Sequence, residues 1–147
     1  MLPFGRIRLK SLRLPPWAFV PSTLGQHLKK RRLELGLLQR EVARQLKVNP
    51  FTYLTWEKDR KIPWDRYAPA IAAFLGYDPN PSPVTLPERL RARRRALGLS
   101  RKAAARLLGI DDATLSRWDS GITEPKGLHA VLVARFLAGS DLMAETP

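Results

Sequence analysis

The chain aligns with itself at an offset of 62 residues. Thr23–Gly76 lies on Thr85–Ala138 without a gap, and 18 of those 54 positions are identical. Leu28/Leu90, Arg32/Arg94, Gly36/Gly98, Ala43/Ala105, Trp56/Trp118, Pro63/Pro125 and Phe74/Phe136 are among the identities. A repeat constrains architecture before any single element does, because each unit must bury its own apolar face. Two copies make a tandem pair rather than a solenoid, and a unit of this size suffices for a small helical domain. The divisions that follow are a basic arm (1–22), copy one (23–77), a Pro-rich linker (78–84), copy two (85–139) and a tail (140–147).

Each copy reads as helical throughout. Leu24, Leu28 and Leu35 recur at helical spacing, and Gly36 stops that helix. A second helix runs from Gln39 to Leu46. Asn49 caps a third, in which Pro50 fits the first position because no N–H is needed there. Thr52, Tyr53 and Trp56 take its inward side, and a fourth helix ends near Leu75. Copy two runs parallel: Ser100 and Asp111 are the caps, and Gly121 closes the third helix. Between the copies, YDPNPSPV carries three prolines, which exclude a helix and favour an extended, semi-rigid spacer.

Charge narrows the function classes. Lys and Arg number 26 against 13 Asp and Glu, a net charge of +13, which favours a polyanionic partner. Cysteine is absent and there are two isolated histidines, so no thiolate chemistry or metal-ligand cluster is expected. No phosphate-binding glycine loop or nucleophile elbow is present, so neither an enzyme nor a cofactor is expected. No apolar run approaches the roughly 18 residues that span a bilayer. The expectation is a cytoplasmic protein, associated with the nucleoid if bacterial.

Two segments carry a family resemblance: QREVARQLKVNPFTYLTWEKDRKIP (Gln39–Pro63) and SRKAAARLLGIDDATLSRWDSGITEP (Ser100–Pro125). Small Ala43 and Ala105 sit where helix two must pass close to helix three, and Val48 and Ile110 plug the turn. The Thr-x-x-x-Trp-acid run completes the pattern. It resembles the Cro/repressor-type (Xre-like) helix-turn-helix family, in two tandem copies. The fold class implied is all-α: two tandem four- to five-helix domains joined by the Pro-rich linker, with a basic N-terminal arm. Two positions depart from the pattern. Lys47 stands at the turn where the family has glycine, and Asp119 is shorter than its counterpart Glu57.

The resemblance also implies roles. Helix three would enter the major groove and meet base edges. In copy one its groove side is Pro50, Phe51, Leu54, Thr55 and Lys58; in copy two it is Asp112, Ala113, Ser116, Arg117 and Ser120. The base contacts expected are Pro50, Phe51, Leu54, Thr55, Asp112, Ala113, Ser116 and Arg117. Phosphate contacts are expected from Gln39, Arg40, Lys58, Arg60, Lys61, Arg101 and Lys102, and from the arm through Arg6, Arg8, Lys10 and Arg13. Apolar Phe51 and Leu54 either read thymine methyl groups or pack against protein, and Arg117 either reads guanine or holds a phosphate. Arg32 with Glu57, and Arg94 with Asp119, would form internal salt bridges. The function implied is a sequence-specific double-stranded DNA-binding regulator of bacterial or phage type, working as a monomer with two linked domains or as a homodimer. The alternatives are a protein-interaction (antitoxin-like) module and an RNA-binding component of a ribonucleoprotein.

Overall fold

The computed structural model describes residues 14–139, and within them every regular element is helical. Copy one contributes α1 (Leu24–Glu34), α2 (Gln39–Gln45), α3 (Pro50–Glu57), a 3₁₀ turn (Asp65–Tyr67) and α4 (Ala68–Leu75). Copy two contributes α5 (Leu86–Leu97), α6 (Arg101–Leu108), α7 (Asp112–Asp119) and α8 (Leu128–Ala138). Each copy is therefore a four-helix unit, with an added 3₁₀ turn in the first. The arm residues Arg6, Arg8, Lys10 and Arg13, and the tail from residue 140, lie outside the described residues.

Side chains satisfy a free backbone donor at the start of α1, α3, α5, α6 and α7. Thr23 caps α1 by accepting from Gln26 N at 3.2 Å, and Asn49 caps α3 by accepting from Phe51 N at 2.8 Å. Asp111 Oδ1 caps α7, accepting from Thr114 N at 2.7 Å. The α2–α3 turn needs a left-handed residue. Gly109 supplies it in copy two at φ +69°, whereas Lys47 is forced into it in copy one at φ +55°. A β-carbon in that region is strained, so the Lys47 departure has a local cost that its copy bears.

Each copy closes a separate core. Leu28, Val42, Ala43, Leu46, Tyr53, Trp56, Ile71 and Leu75 form the first; Leu90, Ala104, Ala105, Leu108, Leu115, Trp118, Val133 and Phe136 form the second. Tyr53, Leu28, Leu90, Leu115 and Val42 are the largest side chains with no solvent contact. Trp56 and Trp118 are each 4% exposed, so both tryptophans anchor α3 and α7 rather than reach outward. Val48 and Ile110 pack against their cores from the turns, as expected.

Two close approaches hold α3 against α1. A Cβ on Gly25 would lie 2.5 Å from Trp56 O and 2.8 Å from Glu57 O, so only glycine fits where α1 meets the end of α3. Asp59, itself at φ +54°, then ties this corner: its carboxylate accepts from Thr23 Oγ1 at 2.6 Å and from Gly25 N at 3.0 Å. No local sequence rule singles out Asp59 for this role.

The linker is free of helix from Tyr77 to Thr85, but it does not hold the copies apart. Helix α5 packs on α4 and on the 3₁₀ turn. A Cβ on Gly98 would come within 3.3 Å of both Arg66 O and Pro69 Cγ. The two copies, each with its own core, meet along these elements.

Candidate nucleic-acid interface

In each copy an arginine–acid pair fixes the third helix from behind. Arg32 Nε donates to Glu57 Oε2 at 2.8 Å and Nη2 donates to Oε1 at 2.7 Å, a two-point fork. Gln39 Nε2 adds a third donor to Oε1 at 3.1 Å. Burial pushes the Glu57 carboxyl up, but these donors, together with Tyr53, outweigh it and hold it below its ordinary value of 4.5. A depressed carboxyl stabilises the fold above that ordinary value, and the contribution is lost as pH falls through the folded one. Arg94 Nη2 donates to Asp119 Oδ2 at 2.8 Å, repeating the pair in copy two. The shorter aspartate cannot complete the fork: Arg94 Nε and Asp119 Oδ1 are buried without a partner. Here burial wins, and it pushes the Asp119 carboxyl up against the pull of Arg94.

With their inner sides anchored, α3 and α7 turn one face each to solvent. On α3, Pro50 is exposed, Phe51 is 68% exposed and Leu54 is half-buried. Thr55 does not join them. It is 6% exposed and its hydroxyl donates to Thr52 O at 2.7 Å, which removes it from the reading face. One step of helical rotation separates the two outcomes, and Thr55 falls on the side of neighbouring Trp56. On α7, Asp112, Ala113 and Arg117 are exposed and Ser116 is half-buried.

The expected phosphate contacts divide in two. Arg40, Lys58, Arg60, Lys61 and Lys102 are exposed, and none forms an ion pair among the described residues. The loop after α3 folds back, with Arg60 N donating to Thr55 O at 2.9 Å, and this sets Arg60 and Lys61 beside the end of the helix. Gln39 and Arg101 are instead engaged. Gln39 is committed to Glu57, and Arg101 Nε donates to Asp112 Oδ1 at 2.8 Å. The Arg101 guanidinium holds the Asp112 carboxyl below its ordinary range. Copy two therefore spends on its own helix a charge that the sequence assigned to the phosphate backbone. Copy one, not copy two, has the denser set of uncommitted cations.

Three apolar side chains escaped the sequence reading. Leu38 (51% exposed) borders the same surface groove as Gln39, Arg40, Pro50, Phe51 and Leu54, extending the apolar strip of α3. Ile62 (87%) and Trp64 (68%) project from the following loop, and Arg66 lies over the Trp64 ring at 4.6 Å. Position 38 was legible in one respect, since the repeat places polar Ser100 opposite it. The equivalents of Leu38, Phe51, Leu54, Ile62 and Trp64 in copy two are Ser100, Ala113, Ser116, Glu124 and Lys126, so this apolar set belongs to copy one.

Residues 28–81 and residues 90–141 each match a family model described as helix-turn-helix. The two matches fall on the two copies and together span more than half of the chain. No curated protein and no solved structure gives a significant match.

Proposed function

The chain belongs to the helix-turn-helix family, of Cro/repressor (Xre-like) type, in two tandem copies, and from that premise we propose that it is a sequence-specific double-stranded DNA-binding transcriptional regulator of bacterial or phage type. Double-stranded DNA is the partner that the family supports. The proposal is that α3 and α7 each enter a major groove. The observation that carries it is the open face of these helices: each is fixed from behind by a buried tryptophan and an arginine–acid pair, and each faces solvent beside exposed cations. An α-helix fills the major groove, and flanking cations neutralise phosphates.

The test is a gel shift with duplex DNA and structured RNA, each against competitor, at several salt concentrations. If about six phosphates are neutralised, log affinity should fall against log salt with a slope of about −5. A slope near zero, or tighter binding to RNA, would overturn the reading. Within it, Arg117 is the base reader of copy two, because its guanidinium is exposed on α7 and forms no ion pair among the described residues. Arg117→Ala should weaken the selected site by roughly 1–3 kcal/mol and relax one base position. Uniform weakening on all duplexes would make Arg117 a phosphate contact instead.

One observation favours a second reading. Leu38, Phe51 and Leu54 form an apolar strip that a protein partner could cover, in the manner of an antitoxin-like module. Copurification of a partner that is lost in Phe51→Glu, with no duplex binding by the wild-type chain, would select it.

A further inference from the structure

Arg32 and Arg94 occupy equivalent positions, yet they are used differently. Arg32 spends two guanidinium nitrogens on Glu57. Asp119 is one methylene shorter and takes a single nitrogen of Arg94. The nitrogen this frees, Nε, is buried without a partner; Arg94 Nη1 donates to Leu99 O of its own copy at 3.5 Å, as Arg32 Nη1 does to Leu37 O, and in addition to Asp65 Oδ2 of copy one at 2.7 Å, a contact with no counterpart at Arg32. Asp65 opens the 3₁₀ turn that follows the basic loop of α3, and Asp119 is the last residue of α7. One guanidinium therefore joins the segment behind the first open helix to the end of the second.

The copies meet where α5 packs on α4 and the 3₁₀ turn, beside a groove lined by Ala68, Pro69, Ala72 and Ala96 together with larger Ile62 and Trp64. Apolar packing of this kind is non-directional, whereas a short ion pair with one side chain 9% and the other 34% exposed fixes a distance and a direction. The repeat supplies an internal control. The position equivalent to Asp65 in copy two is Gly127, so this tie is not something each copy carries for its own fold.

We propose that Asp65, through Arg94, is a positioning residue that locks the two copies into one rigid unit and so sets the spacing and phase of the two half-sites the chain accepts on DNA. This rests on the reading of both copies as DNA readers. The expected consequence is a chain that measures distance along the duplex. Inserting five base pairs turns one half-site by about half a helical turn away from the other. A rigid pair then loses the second contact and its local-concentration gain. A loosely tethered pair keeps most of both.

The experiment uses the full chain, wild type and Asp65→Ala, in two arms. In the first, without DNA, backbone ¹⁵N relaxation gives the tumbling time of each copy. One shared time in the wild type and two shorter, unequal times in Asp65→Ala are expected. In the second, duplexes selected from a random library by the wild-type chain are remade with one to five base pairs inserted between the protected halves. Wild type should lose about 100-fold in affinity at five inserted pairs, and Asp65→Ala about tenfold or less, with equal affinity of the two proteins for a single half-site. Separate tumbling of the wild-type copies, or an identical spacing profile for the two proteins, overturns the proposal. If no duplex is selected at all, the DNA reading has failed, and the relaxation arm still decides whether Asp65 locks the copies.

Discussion

Arg94→Ala is expected to destabilise copy two by about 3–5 kcal/mol, the range for removing one partner of a buried ion pair. Arg94 and Asp119 are 9% and 10% exposed in their side chains, so the carboxylate left behind would remain out of water. It would also lack a substitute donor: Asp119 already has one oxygen unpaired, and its equivalent of Gln39 is Arg101, which is turned to Asp112. Arg32→Ala should cost less, because Gln39 still donates to Glu57. Denaturant titration of the two variants measures this difference. Its pH dependence follows from the carboxyl groups. Burial already raises Asp119 above its ordinary value of 3.8. A group raised in this way makes the fold less stable as pH rises from the unfolded to the folded value, and removing Arg94 widens that window. Arg94→Ala should therefore regain part of its lost stability as the solution is acidified towards that ordinary value. A cost under about 1 kcal/mol at neutral pH, or no recovery in acid, would mean that water reaches Asp119 and that the pair is not part of the core.

Much of this was readable from the sequence because it rests on spacing. The repeat, the caps Asn49 and Asp111 and the inward turn of Trp56 and Trp118 each follow from spacing or a local rule of helix geometry. The pairs Arg32–Glu57 and Arg94–Asp119 were legible through the family resemblance and through their recurrence 62 residues apart. Other features depend on where long side chains end, and spacing does not decide that. Arg101 and Asp112 are eleven positions apart on different helices, and only the packed turn brings them together. Thr55 sits at the margin of two helix faces, where its short hydroxyl finds its own backbone instead of solvent. Asp65 was silent because its partner lies in the other copy, at a position whose counterpart in copy one makes no such contact. Residues that join two repeats are the ones that a repeat alignment leaves without a match.

A single acidic substitution on either open helix should collapse binding, although neither touches a core. Phe51 and Ala113 are exposed and occupy equivalent positions on α3 and α7. Phe51→Glu or Ala113→Glu would turn a carboxylate towards phosphates and base edges. If both copies read DNA, the surviving copy must bind alone. It would lose the high local concentration that the covalent link and the Asp65–Arg94 tie provide, a factor on the order of 10²–10⁴ in affinity. Each variant should fall by that factor on a duplex selected by the wild-type chain, with its melting temperature unchanged. The footprint should shrink from about two helical turns to about one, and it should shrink from opposite ends in the two variants. The lost halves should differ in sequence, since one helix presents Phe51 and Leu54 while the other presents Ala113 and Arg117. Uncommitted cations are denser around copy one, so Phe51→Glu should be the more damaging change. Should Ala113→Glu leave both affinity and footprint intact, α7 does not read DNA. Should the intact footprint prove palindromic and need two chains, dimerisation rather than the tandem link places the reading helices.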